Sequence, residues 1–166
     1  MTNILKRRVF LQAAVAGLAG LLLRRKTAQA RDAVFLPYGE LTKKADLIVI
    51  ASAQSSRDVT EIFNFLNVEV IGVETVFHTA ALLKDTRPAA QKAESEQKPE
   101  KTFVLYHYRL ANPETPIVDG PMLVYFDLKD KAQYLMFLRD AGEGRYEPLT
   151  TQYDADFSIE KLRFPA

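Results

Sequence analysis

Cysteine is absent from all 166 residues. That excludes disulfides, thiolate metal sites, a cysteine nucleophile and a lipid-bearing N-terminal cysteine. Histidine occurs only twice, as His78 and His107. There is no phosphate-cradling glycine loop, no Gly-x-Ser-x-Gly elbow and no His-Glu-x-x-His helix, so no cofactor is expected and no catalytic motif is present. Acidic residues are missing from residues 1–30, which hold six of the 22 Lys and Arg. The other 136 residues therefore carry 16 basic against 21 acidic side chains, a net charge of −5. A mildly acidic domain lacks the concentrated Lys and Arg that phosphate backbones require, which argues against a nucleic-acid partner. Its length is enough to bury a core without covalent staples.

The first thirty residues run from Lys6-Arg7-Arg8 through an apolar stretch, Val9 to Leu23, to Arg24-Arg25-Lys26 and Ala28-Gln29-Ala30. Basic, then apolar, then small-x-small is the order of an export signal, with cleavage after Ala30 set by Ala28 and Ala30. About fifteen apolar-rich residues fall short of the roughly 20 that span a bilayer, so no stable membrane span is expected after processing. A short retained N-terminal anchor is the alternative. Arg7-Arg8-Val9-Phe10-Leu11-Gln12 resembles the twin-arginine export motif through Arg7, Arg8, Phe10 and Leu11. It departs from that motif at Lys6, where Ser or Thr is usual, and at Gln12, where Lys is common. The resemblance implies the twin-arginine export machinery as a partner, passage across the membrane in the folded state, and a periplasmic or secreted location. An ordinary secretory signal that happens to carry two arginines is the competing reading.

In the mature segment, residues 31–166, the pattern is mostly that of strands. Val68 to Asp85 alternates with period two: Ile71, Val73, Thr75 and Phe77 share one face, and Glu74, Val76 and His78 the other. It is long for one strand, and Gly72 is the expected position of a kink or bulge. Leu36 to Ala45 predicts a short helix with Pro37 near its start and Lys43 and Lys44 near its end. Leu47 to Gln54 predicts a strand covered on both faces, and Ser55 to Asp58 a turn. Glu61 to Asn67 reads as a helical turn or as a loop packing Phe63 and Phe65 onto a barrel end. Asp85 to Lys101 lacks any large apolar residue and contains Pro88 and Pro99, the signature of a solvated, mobile loop. Thr102 to Leu110 predicts a second strong strand. Met122 to Asp127 and Gln133 to Leu138 predict two shorter ones. Arg145 to Gln152 predicts a last strand, at an edge because of Pro148, and Ser158 to Leu162 a closing helical turn.

Five or six strands and one short helix define an all-β chain with a closed sheet. Ala45 to Ile50, Val76 to Lys84, and Tyr134 to Leu138 with Gly144 to Tyr146 resemble the small OB-like or netrin-module-like barrels of uncharacterised exported bacterial proteins. The netrin-like metalloprotease inhibitors chelate zinc through an N-terminal cysteine. This chain has none, so that activity does not carry over.

For function, the residues support a non-catalytic binding or interaction module with an unknown periplasmic or extracellular partner. A small metal- or cofactor-binding protein is the alternative. Glu74, His78 and His107 could supply three metal ligands. Pairing Leu83 with Phe103 would set His78 opposite Tyr108 and put the two histidines on opposite faces, while a one-residue slip would unite them. Ser52, His78 and Asp127 could in principle form a hydrolytic triad, though no local motif accompanies them. Tyr106 and Tyr108, with Arg109 and Glu74 nearby in the proposed hairpin, form the candidate binding surface, because aromatic residues and Arg are enriched where proteins meet partners. The competing reading is structural: tyrosines screening neighbouring strands, with Arg109 paired to a carboxylate such as Glu74.

Overall fold

The structure is a computed structural model that describes residues 35–87, 101–114 and 120–163. The export signal, including Arg7, Arg8, Phe10, Leu11, Ala28 and Ala30, lies outside the described residues, as does most of the 85–101 loop. Helix α1 (Tyr38–Lys44) is followed by β1 (Leu47–Asp58), β2 (Phe63–Phe65), β3 (Val68–Asp85) and β4 (Thr102–Leu110). Then come β5 (Gln133–Gly142), β6 (Arg145–Pro148), a 3-10 turn (Ala155–Ser158) and β7 (Ile159–Lys161). The chain is all-β with one short helix, as its pattern predicts.

Strand β3 organises the sheet. It pairs antiparallel with β1 from Leu47↔Asp85 to Asp58↔Val73, and with β4 from Val70↔Leu110 to His78↔Thr102. Strand β1 also pairs antiparallel with β5, which pairs with β6. A short parallel contact of β6 with β4, Val104↔Arg145 and Leu105↔Tyr146, completes a hydrogen-bonded ring β1-β3-β4-β6-β5-β1. β2 hangs from β3, and β7 from β5. The β2–β3 turn puts Leu66 and Asn67 at positive φ. Asn tolerates that region, and Asn64 Oδ1 accepts a hydrogen bond from the Asn67 amide at 3.1 Å.

Inside the ring lie Val73, Thr75 and Phe77 of β3. Phe77 is fully buried, stacked on Phe103 at 5.4 Å and edge-on to Phe126 at 4.9 Å. Leu47, Val49 and Ala51 of β1, Leu105 of β4, and Tyr134, Met136 and Leu138 of β5 complete that core. On the other side of β1, Ile48 packs with Leu41 and Ala45 of the helix segment and with Phe137. Leu47 to Val49 are therefore buried on both faces, as an unbroken apolar run requires.

Several expectations are corrected. Gly72 marks no kink: it sits opposite Tyr108 in unbroken register. The register shifts between β1 and β3 instead leave Ala80 and Leu83 on β3, and Gln54 on β1, without a partner across that pair. What Gly72 provides is room, since a Cβ there would stand 2.7 Å from the Tyr106 hydroxyl and 2.9 Å from Thr60 Cγ2. Ser55 to Asp58 is strand and not turn, because β3 is long enough to pair with it to the end. Phe63 to Phe65 is a strand and not a helical turn. Residues 122–127 join no strand pairing. They are extended, anchored by Met122 N–H to the Tyr153 carbonyl at 2.8 Å, and send Val124 and Phe126 into the core. Burial alone satisfies their alternation, without a ladder partner. Finally, β6 lies between β4 and β5 and is no edge; Pro148 is its last residue, where a missing N–H costs least.

Candidate functional site

Glu74, Tyr106 and Tyr108 do come together on the outer face of the β3–β4 pair, where Glu74 lies opposite Tyr106 and Tyr108 opposite Gly72. That face is partly covered. Phe63 and Phe65 of β2 set their rings edge-on to Tyr108, at 5.3 and 5.0 Å, and Tyr106 packs against Tyr108 at 5.7 Å. Burial pushes the Tyr106 phenol up to about 12. The Glu74 carboxylate accepts hydrogen bonds from Arg57, at 2.6 Å for Nη2, and from Arg145 at 3.5 Å. Those bonds, Arg57's above all, hold its pKa below the usual carboxylate value. One tyrosine that clamps the β2 arm, a second packed against it, and a carboxylate held by two arginines leave little free polar capacity there.

Arg109 is corrected to the opposite face. Strand alternation sets it with His107, and its partner is Asp58 rather than Glu74, with Nη2 to Oδ2 at 2.7 Å and Nε to Oδ1 at 3.1 Å. The four residues do not form one surface.

The histidines also part. The register is Phe77↔Phe103 and His78↔Thr102, six residues away from a Leu83↔Phe103 pairing. Six is even, so the slide leaves the faces unchanged. His78 is exposed outside, while His107 is 3% exposed inside. Glu74, His78 and His107 are not brought together, and among the described residues no group of three His, Cys, Asp or Glu is placed to hold a metal ion. Ser52 and His78 are cross-strand neighbours on β1 and β3. Asp127 accepts a hydrogen bond from the Lys129 amide at 2.9 Å, and among the described residues none joins it to Ser52 or His78.

A cavity of about 460 Å³ opens where β3 leaves β4, and sequence reasoning missed it. The Thr79 amide bonds the Lys101 carbonyl at 2.8 Å as the two strands part, while β1 stays with β3 as far as Asp85. The wedge between them is walled by Leu47, Val49, Phe103 and the ring of Tyr146, and flanked by Leu82 and Leu83, which are 57% and 58% exposed. Its polar lining includes Lys84, Asp85, Arg87, Lys101 and Thr102. Lys84 donates to the carbonyls of Thr42 and Lys43, at 2.8 and 3.1 Å, at the negative end of α1. Arg87 is fork-bonded to Asp85, with Nη2 to Oδ2 at 2.7 Å, and its guanidinium carbon lies 5.8 Å from the centroid of the Tyr146 ring. Burial pushes the Tyr146 phenol up to about 12, so it is a neutral donor at physiological pH. Among the described residues, neither the Tyr146 hydroxyl nor the Lys101 ammonium has a hydrogen-bond partner. Register shifts leave Ala80 and Leu83, both in the lining, without a partner on β1, and no local pattern announces them.

No protein-family model matches the chain, and a search of curated proteins finds no match.

Proposed function

We propose that the chain is an exported, non-catalytic binding module built on an OB-like small barrel, and that its ligand occupies the cavity where β3 and β4 part. The barrel reading is supported by the strand ring. Three successive ring strands, β1, β3 and β4, run antiparallel, and the next, β5, returns beside β1. That is Greek-key connectivity in a five-stranded ring, the plan of OB folds. Export is supported by Arg7, Arg8, Phe10 and Leu11 and by the Ala28-Gln29-Ala30 site.

One observation carries the binding reading: a cavity of about 460 Å³ with apolar walls and, in its lining, a Tyr146 hydroxyl that has no hydrogen-bond partner among the described residues. Small-molecule sites are concave, about 300–1,000 Å³, apolar in the main and furnished with a few directed polar groups. The Tyr106–Tyr108 face is the weaker candidate, because β2 already occupies it. Titrating the full chain with neutral octan-1-ol, followed by amide NMR shifts, tests the choice. Shifts are expected at residues 79–85 and 101–103. Saturating octanol that leaves those amides unmoved would overturn the reading.

A further inference from the structure

We infer that the cavity selects a straight-chain carboxylate, an apolar tail carrying a single anionic head. The inference rests on the cavity being a ligand site and adds the chemistry of the ligand.

The lining divides by polarity. Leu47, Val49 and Phe103 offer only carbon to a ligand. At the polar lining, Lys84, Arg87 and Lys101 stand against the single carboxylate of Asp85. Asp85 is already neutralised by the bidentate grip of Arg87, so its charge does not repel an incoming anion as a free carboxylate would. Two cations remain in excess, and both surplus donors belong to groups without an acidic partner. Lys84 is held by two backbone carbonyls and Lys101 by no polar group among the described residues.

The Tyr146 hydroxyl supplies the second half of the match. Its residue is 3% exposed, it lines the cavity, and it has no hydrogen-bond partner among the described residues. The hydroxyl faces the cavity, so a ligand that brings an acceptor can take the place of the water it meets there. Carboxylate oxygens are acceptors only, and one head can accept a hydrogen bond from the Tyr146 hydroxyl while sitting beside Lys101. An alcohol satisfies the phenol but gains nothing from the cation. An alkylammonium adds a third positive charge and has no lone pair to offer. Asp46 and Asp140 act electrostatically on Tyr146 from outside the cavity lining and oppose the preference. Asp46 is engaged by the Asp140 amide at 3.0 Å and by the Thr86 hydroxyl at 3.3 Å.

The test compares octanoate, octan-1-ol and octylammonium on the full chain at pH 7.5, with affinity and location read from amide NMR shifts at residues 79–85 and 101–103. Octanoate is expected to bind about tenfold or more tightly than either other probe, and to weaken as salt is raised. Lys101→Glu should lower octanoate affinity about fivefold or more and leave octanol unaffected, and Tyr146→Phe, which removes the hydroxyl that both probes can meet, should lower octanoate affinity about threefold and octanol by no more than that. Tyr146→Phe keeps the ring and its packing, so it reports on the hydroxyl even if the charge reversal proves disruptive. Equal binding of octanoate and octanol would remove the anion preference and leave the cavity reading standing. Preference for octylammonium would mean that Asp46 and Asp140 dominate, and the inference would be wrong. No perturbation of the cavity by any probe overturns both the inference and the reading beneath it.

Discussion

The imidazole of His107 and the hydroxyl of Thr75 meet inside the ring, with Nε2 2.8 Å from Oγ1. Thr75 Oγ1 lies 2.7 Å from Ser56 Oγ, and His107 Nδ1 lies 3.4 Å from the Tyr108 carbonyl. The carbonyl can only accept, so Nδ1 is the protonated nitrogen and Nε2 accepts from Thr75, which in turn accepts from Ser56. The chain satisfies a neutral imidazole on both nitrogens.

That arrangement predicts acid sensitivity. Burial pushes His107 down to about 4 from an ordinary 6.5. The unfolded chain therefore binds the extra proton first, between those two values. Stability is complete above about pH 6.5, falls as pH drops through that window, and levels off below about 4, for a loss on the order of 3 kcal/mol. Urea unfolding across pH 4–7.5 should show this slope, and His107→Gln should flatten it while lowering stability at pH 7.5. An unchanged slope in the variant would assign the acid sensitivity to other groups.

Gly72 should resist any side chain. An alanine Cβ would stand 2.7 Å from the Tyr106 hydroxyl and 2.9 Å from Thr60 Cγ2. Gly72→Ala is expected to destabilise by about 1–3 kcal/mol, the usual range for overpacking. Adding Tyr106→Phe removes the nearest clashing atom, so the double variant should regain part of that loss. Strictly additive effects in the double-mutant cycle would mean the clash is relieved elsewhere.

Tyr108 holds the β2 arm against the sheet. Tyr108→Ala removes both edge-on contacts with Phe63 and Phe65, and a loss of about 3 kcal/mol is expected from so large a truncation. Hydrogen exchange should quicken at Phe63 to Phe65 well before it does in β3. If instead Tyr106→Ala with Tyr108→Ala leaves the melting temperature unchanged, the pair is free surface and becomes the stronger candidate for partner binding.

Replacing Arg7 and Arg8 by Lys should retain the precursor in the cytoplasm, if the twin-arginine route is used. Fractionation of an expressing cell checks this directly. Normal export of the double variant would assign the chain to the general secretory route.

Residue order alone determined the strands that have one dry face. The period-two run from Val68 to Asp85 matches β3 at both ends, and the short helix and the doubly covered start of β1 are equally legible. Local alternation suffices there because each residue's burial follows from its own polarity and its neighbours' spacing. It left the faces of His78 and His107 to the register, and the observed pairing of Phe77 with Phe103 is what separates them.

Tertiary structure decided what depends on where one strand stops against another. The parallel meeting of β4 with β6, the shifts at Ala80 and Leu83, and the use of residues 122–127 as core filling are choices made between distant segments. Arg109 illustrates the limit: read from the sequence it joins Tyr106, Tyr108 and Glu74 in one surface, and only the three-dimensional packing sets it on the other face with Asp58 as its partner. The cavity follows the same logic. Leu47, Phe103 and Tyr146 are ordinary core residues in sequence, and they become walls where the β3–β4 pairing ends at His78↔Thr102 while β1 stays paired with β3 as far as Asp85.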